Sequence, residues 1–332
     1  MKSSPRAVIL DVGHGNCAIV IDRNATSIID AALGGLLLDF LREEGLKEVD
    51  YVLVSHADLD HIGGLIALLS SDEVIVKSVH LNPDPMRNSK IWDDLKCVLK
   101  DARRKRNVVV KNGLSTTIPG PLPTGELTIE VVAPSPVLAL TGVGGTTVSN
   151  ETLSAHSLNA VIRLLHGDKG LALFCGDLDE SGLSELRTEN AAIEAEVLVF
   201  PHHGGLPGKD PAAFTSTLYQ MVKARLVVFS IGRGKHGTPR PEIVTAVRQA
   251  NPEVHIACTQ LSERCASDLP ETTPSHLADV VALGRERNSC CAGTLIIFPP
   301  PTRPALDAHR AFVKIAAPTA LCQGTIKRPA NE

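Results

Sequence analysis

The stretch Ser55-His56-Ala57-Asp58-Leu59-Asp60-His61-Ile62-Gly63-Gly64 constrains this chain more than any other, because it follows directly on the apolar run Tyr51-Val52-Leu53-Val54. The run reads as a buried strand and the glycine pair as a turn, so His56, Asp58, Asp60 and His61 are released together where a strand ends. A loop at that place can fan such side chains around one centre while the packed strand holds them still. Imidazole suits zinc, iron or manganese, and carboxylates draw the preference toward harder ions. Two ligands facing one way and two the other would serve a pair of metals roughly 3.5–4 Å apart, an arrangement that activates water for attack on a phosphoester. Taken alone, the run has a competing reading as a polar turn that carries histidines by chance.

Further residues of the same chemistry recur beside strand-like runs. His156 precedes Ala160-Val161-Ile162-Arg163-Leu164-Leu165, Asp177 follows Leu171-Ala172-Leu173-Phe174-Cys175-Gly176, and His202 and His203 sit between Val197-Leu198-Val199-Phe200-Pro201 and Gly204-Gly205. The ordering H-x-D-x-D-H, then His, then Gly-Asp, then Pro-His-His-Gly resembles the metallo-β-lactamase superfamily. The opening Asp11-Val12-Gly13-His14-Gly15-Asn16 narrows the resemblance to the soluble hydrolase domain of ComEC-type DNA-uptake channel proteins and their free-standing relatives. It runs from about residue 7 to about residue 250 and extends toward Phe298. It implies the αββα four-layer fold, two β-sheets sandwiched between helices, and phosphodiester rather than β-lactam hydrolysis.

Carried over by residue, the resemblance implies that His56, Asp58 and His156 hold one metal. Asp60, His61 and one of His202 and His203 hold the other, and Asp177 bridges both. A metal-bound water is then the nucleophile, and the remaining histidine of the pair is available to phosphate. Asp58 stands where many relatives carry His, although aspartate is common in the ComEC-type branch. Its hard oxygens admit Mn2+ beside Zn2+ as the two divalent ions. His156 stands where many ComEC-like chains place Asn. The family's Gly-His-Pro-like segment, which faces the phosphate, corresponds here to Gly234-Lys235-His236-Gly237-Thr238-Pro239-Arg240-Pro241. Thr238 occupies the histidine's place and His236 sits two residues earlier, so His236 or Lys235 is expected to supply the proton or positive charge. Asp60, Asp177 and His236 are thus the expected catalytic residues, with Asp11, His14, Lys235 and Thr238 behind the ligands or toward the substrate. His80, His166, His255, His276 and His309 read as surface or packing residues.

At 332 residues, 43% hydrophobic and 21% charged, the chain can bury a large core in one broad domain. Residues 1–298 are assigned to the hydrolase domain, and residues 299–332, which open on Pro299-Pro300-Pro301, to a loosely ordered tail. Strands are expected at 7–11, 17–21, 27–30, 52–55, 127–132, 160–166, 170–176, 197–200, 226–231 and 254–258. Helices are expected over 34–44, 63–69, 90–106 and near 180–187, 211–223 and 240–250, with 135–151 as a loop over the site. The run Arg103-Arg104-Lys105-Arg106 reads as a solvated helix end, with a phosphate-contacting patch as the alternative.

A net charge of −4 excludes a uniformly basic nucleic-acid coat while leaving room for a local positive groove. Aromatics make up only 3%, so a grip by base stacking would be thin. No apolar run approaches the ~18 residues of a membrane span, and Met1–Arg6 leads into a strand without the apolar core of a signal peptide. Eight cysteines without a small-domain spacing suit a reducing cytoplasm. Cys258, Cys265, Cys290 and Cys291 read as buried thiols, with a structural zinc site aided by His276 as the alternative. The function that follows is a dinuclear metal-dependent phosphodiester hydrolase, a nuclease with DNA as the substrate the resemblance implies. A phosphodiesterase for a small phosphoester or cyclic nucleotide is the alternative, and a non-catalytic metal-bound binding module is a third reading.

Overall fold

A computed structural model describes residues 4–147, 150–299 and 304–323. The first half supplies β1 (Arg6–Ile9), β2 (Cys17–Ile21), β3 (Thr26–Ala31), β4 (Glu48–Leu53), β5 (Ile75–Leu81) and β6 (Val109–Asn112). The second half supplies β7 (Leu122–Pro123), β8 (Leu127–Ala133), β9 (Val161–His166), β10 (Lys169–Phe174), β11 (Val197–Val199), β12 (Leu226–Phe229), β13 (His255–Cys258) and β14 (Leu295–Ile297). They form two seven-stranded sheets, ordered β14-β1-β2-β3-β4-β5-β6 and β13-β12-β11-β10-β9-β8-β7. Each sheet is mixed: β1–β3 and β7–β10 pair antiparallel, whereas β3–β6 and β10–β13 run parallel through helical crossovers.

Three apolar layers explain why the sheets stack. Successive side chains of a strand point to opposite faces. Ile28 of β3 therefore packs outward against Phe40 and Leu65, while its neighbour Ile29 packs inward among Ile162, Phe174 and Val228 of the other sheet. The outer face of the first sheet is covered by α1 (Leu36–Glu43), α2 (Leu59–Ser70) and α3 (Lys90–Arg106), through Leu37, Phe40, Ile62, Leu65, Trp92 and Leu95. After the short α4 (Pro136–Thr141), the second sheet is covered by α5 (Glu180–Thr188), α6 (Pro211–Val222) and α7 (Pro241–Ala250), through Leu183, Phe214, Leu218, Ile243 and Val247. This is the expected αββα sandwich. A fully buried Leu65 or Phe40 contributes roughly 1.5–3 kcal/mol, so each helix is held by its apolar stripe rather than by its own propensity.

Three expectations are corrected. The helix placed at 63–69 begins at Leu59, so Asp60 and His61 lie in its first turn rather than in a loop. Its N-cap is Asp58 in extended geometry, which ends the strand-to-helix connection sooner than the glycine pair suggested. The segment 135–151 contains α4 and a bridge between Thr146 and Thr152, with residues 148 and 149 outside the described residues. The tail expectation fails for residues 304–323. There α8 (Pro304–Ala316) and a 3-10 turn (Leu321–Gln323) pack Val313, Ala317 and Ala320 onto the second sheet's core. Gln323 Nε2 donates to Val313 O at 2.9 Å, closing the turn back on the helix. Residues 300–303 and 324–332 of that expected tail lie outside the described residues. Among the described residues no helix is long and apolar enough to cross a membrane.

Candidate metal centre

The C-terminal ends of β3, β4, β10, β11 and β12 meet at one end of the sandwich and deliver Asp30, His56, Asp177, the His202-His203 pair and Ser230 to the same place. Among the described residues, the groups of three whose ligand atoms converge within 4.8 Å are all here: His56–Asp58–His156, His56–His61–Asp177 and His14–Asp60–His203. Asp177 lies between them. Its Oδ1 is 3.3 Å from His61 Nε2 and 3.7 Å from His203 Nε2, and its Oδ2 is 3.8 Å from His56 Nε2 and 3.4 Å from His202 Nδ1. Asp58 sits 3.5 Å from His56 Nε2 and 3.7 Å from His156 Nε2, whereas Asp60 Oδ2 sits 3.1 Å from His203 Nε2.

Backbone geometry aims these groups. Gly176 before Asp177 has φ +51° and no room for a Cβ, which would stand 2.2 Å from Asn159 Oδ1. Asn159 Oδ1 in turn accepts the Asp177 N–H at 2.8 Å. His202 and His203 both have positive φ, 51° and 55°, a costly conformation for non-glycine residues and one concentrated at functional sites. That turn sends the two rings apart. His203 joins Asp60, while His202 faces Asp177 Oδ2 and lies 4.8 Å, centroid to centroid, from His156.

The hydrogen bonds behind the rings set their tautomers. His61 Nδ1 donates to Asp30 Oδ2 at 2.8 Å, and His203 Nδ1 donates to the Ser230 carbonyl at 2.8 Å. Ser55 Oγ donates to Asp30 Oδ2 at 2.8 Å and is left to accept from His56 Nδ1 at 3.1 Å. In all three rings the Nε2 lone pair is thereby turned toward the centre. His56 Nε2, His61 Nε2, His202 Nε2 and Asp177 Oδ1 are buried without a hydrogen-bond partner. Orphaned acceptors on this scale are costly unless something electropositive meets them, and a divalent cation fits that donor set.

Without a cation, protons take the place of its charge in the cluster. Burial opposes charge on Asp177, yet the charge of His61 and the hydrogen bonds of His202 and His61 hold its carboxyl well below the ordinary range. Burial likewise opposes charge on Asp60, and His203 and His61 outweigh it. His61 is raised despite its burial because Asp30 and Asp177 flank it, whereas burial and the neighbouring His61 push His56 down to about 3. Burial and then His203 lower His14 to about 4.

All eight expected ligands, His56, Asp58, Asp60, His61, His156, Asp177, His202 and His203, are therefore brought together. His236 stands at the edge, its ring 4.5 Å from that of His14. Thr238, His236 and Arg240 line an open groove of about 530 Å3 over the cluster, with Leu59 and Leu206 opposite in character. Lys235 is exposed and does not line the groove. Asp11 does not reach the cluster either; it accepts from Gly13 N, Gln260 Nε2 and Gly284 N and so ties the first loop down.

Sequence reasoning missed Asp30, Asn159 and Arg87. Arg87 pairs with Asp58 and, at 3.0 Å, with Asp84. Asp30 carried a signal, an acid closing an apolar strand; Arg87 carried none. A more apolar cavity of about 270 Å3 lies at the other end of the sandwich, lined by Val197, Leu226, Leu295 and Leu306, and has no converging ligand triad. Cys258, Cys265, Cys291 and Cys322 surround a small void and are free thiols. Among the described residues the expected set Cys258, Cys265, Cys290 and Cys291 forms no such triad; Cys258, Cys290 and Cys291 are buried and Cys265 is partly exposed. His276 donates to the Cys291 carbonyl instead, at 2.7 Å.

The sequence model of the metallo-beta-lactamase superfamily matches residues 10–205, and the chain belongs to that superfamily. It is accordingly a hydrolase of the metallo-β-lactamase fold with a candidate centre for divalent metal ions. Among solved structures it is similar to the metallo-beta-lactamase fold protein YhfI from Bacillus subtilis, at 13% identity and a TM-score of 0.44 over 73% of this chain and 94% of that one. It is also similar to a diphosphatase of the PhnP family, at 15% identity and a TM-score of 0.39 over 68% and 87% of the two chains. Human tRNase Z, short form, matches at 11% identity and a TM-score of 0.38 over 67% and 91%. No curated protein matches the chain at a significant level.

Proposed function

We propose that this protein is a dinuclear metal-dependent phosphodiester hydrolase that acts on DNA. The observation that carries the dinuclear reading is Asp177, whose two oxygens face two different sets of imidazoles. His56, Asp58 and His156 would hold one ion and Asp60, His61 and His203 the other, with Asp177 available to both. When bound, the two cations supply Lewis acidity and a water made nucleophilic near neutral pH.

The chain's own groups do the rest. Thr238 Oγ1 is buried, without a partner, and belongs to a residue of the groove wall, so it is available to a phosphate oxygen. Arg240 also lines the groove and supplies a positive charge that turns a phosphodiester toward the cluster. His236, exposed beside His14, gives a proton to the departing ester oxygen as its bond to phosphorus breaks. His202, turned from the Asp60 side, contacts the phosphate from the His156 side.

DNA as the substrate rests on the ComEC-type motifs, and the open groove suits a polymer. One observation favours a small phosphodiester instead: the groove lining contains no Phe, Tyr or Trp on which bases could stack. Metal-loaded protein incubated with single- and double-stranded DNA, RNA, cyclic nucleotides and bis-p-nitrophenyl phosphate separates the readings. Cleavage of DNA above all others supports the nuclease, turnover of only the small esters supports the alternative, and no hydrolysis at all overturns both.

A further inference from the structure

The loop Asp11–Asn16 is fastened far more thoroughly than a strand connection requires. Asp11 binds it to Gln260 and Gly284, Asn16 N donates to Asp60 O at 3.0 Å, and Ala32 N donates to Asn16 O at 3.1 Å. Ser230, whose carbonyl orients His203, donates its Oγ to Gly15 O at 2.7 Å. Gly15 has φ +131°, and a Cβ there would stand 2.5 Å from Asp60 O; a Cβ on Gly232 would stand 2.5 Å from His14 N. The backbone on both sides of His14 is thus clamped between the first turn of α2 and the segment after β12.

What this clamp presents is the His14 ring. Its Nε2 is 3.4 Å from Asp60 Oδ2, and its ligand atom lies within 4.8 Å of those of both Asp60 and His203. The ring packs between His203 and His236, with centroids 4.4 and 4.5 Å away, and its Nδ1 is buried without a hydrogen-bond partner. An unpaired Nδ1 does not by itself set it apart, since His80 has one too; its place in the cluster does, because its Nε2 faces a carboxylate that already faces His203.

Resting on the dinuclear reading above, we infer that His14 is an additional protein ligand of the ion on the Asp60 side. That ion then has His14, His61 and His203 with Asp60 and Asp177, against His56 and His156 with Asp58 and Asp177 for its neighbour. The two positions differ in chemistry. The imidazole-rich one binds nitrogen-preferring ions such as Co2+ and Zn2+ first and more tightly. The other position has the same number of carboxylates and one imidazole fewer; its His156 is partly exposed and its Asp58 is shared with Arg87, so it fills second.

Titration of metal-free wild type, His14→Ala and His14→Gln with Co2+, followed by calorimetry and visible absorption, tests this. Wild type takes up two ions in two steps. His14→Ala loses at least about ten-fold in the tighter step, its visible band intensifies as one donor is lost, and the weaker step is unchanged. His14→Gln, which keeps bulk and hydrogen bonding, behaves like His14→Ala. Rescue by glutamine, or two ions bound by His14→Ala with unchanged affinities and spectrum, overturns the inference and leaves the dinuclear reading standing. Fewer than two ions bound by wild type overturns both. Thermal melts of the metal-free variants separate loss of a ligand from loss of the fold.

Discussion

Replacing Asp30 by Asn probes the centre through a residue that does not line the groove. Asp30 is buried and accepts three hydrogen bonds: from Ser55 N at 2.7 Å, Ser55 Oγ at 2.8 Å and His61 Nδ1 at 2.8 Å. An amide has a single oxygen. If that oxygen keeps Ser55 N–H, the NH2 faces His61 Nδ1 and donates to it, which moves the ring proton to Nε2, the nitrogen turned toward Asp177. Loss of such a supporting contact costs 10–100-fold in metal affinity, about 1.4–2.7 kcal/mol. The loss should reach both ions: directly through His61 on the Asp60 side, and through Ser55 Oγ at His56, because that hydroxyl no longer has Asp30 Oδ2 to donate to. Competition against a chromophoric chelator measures it, with a thermal melt of the metal-free variant to confirm folding. Unchanged affinities for both ions in a folded Asp30→Asn protein would refute the tautomer argument.

Other consequences are as direct. Asp60→Ala should lower hydrolysis on the order of 100-fold or more while the circular dichroism spectrum is retained, because the side chain points from the first turn of α2 into the groove and not into the core. Serine at Arg103, Arg104, Lys105 and Arg106 should leave DNA cleavage and its salt dependence as they were. The run ends α3 beside the far end of α2, roughly 17 Å by helical rise from the metal-binding turn, and Arg106 is engaged with Asp72 and the Ser70 carbonyl. His309 predicts an acid-sensitive core: burial, then His255 and His276, push it down to about 3 from 6.5. A depressed histidine leaves stability intact above pH 6.5, and the loss grows as pH falls toward the folded value, because the unfolded chain takes up the proton first. Between pH 7 and 5 this amounts to roughly 2 kcal/mol, so urea midpoints should fall further for wild type than for His309→Gln; equal falls would exclude His309 as the cause.

The parts of the site legible in the sequence are those in which chemistry and chain order coincide. His56, Asp177 and the His202-His203 pair each follow the last apolar residue of a strand, so periodicity alone places them at one end of a sheet. The sequence alone places Asp60 and His61 in a loop, because Gly63-Gly64 has the form of a break. In the fold Gly64 is where α2 crosses Ala32, a Cβ there standing 2.3 Å from Ala32 O, so these glycines permit close packing rather than a turn. Arg87 reaches Asp58 across 29 residues and His255 meets His309 across 54, contacts that no local pattern encodes. The last helix is hidden behind the prolines that open the expected tail, although Leu306, His309, Phe312, Val313 and Ala317 recur at helical spacing. Which of His202 and His203 faces Asp60 depended on two left-handed backbone residues, which their identity does not announce.

The account stands most directly on the number of ions the chemistry needs. Hydrolysis of bis-p-nitrophenyl phosphate should be followed while Mn2+ or Zn2+ is added in measured equivalents to metal-free protein. A bridging Asp177 with two furnished sides predicts no turnover without metal and a rise that levels off only at two equivalents. A plateau at one equivalent, or no diester hydrolysis with both positions filled, would contradict the dinuclear phosphodiesterase.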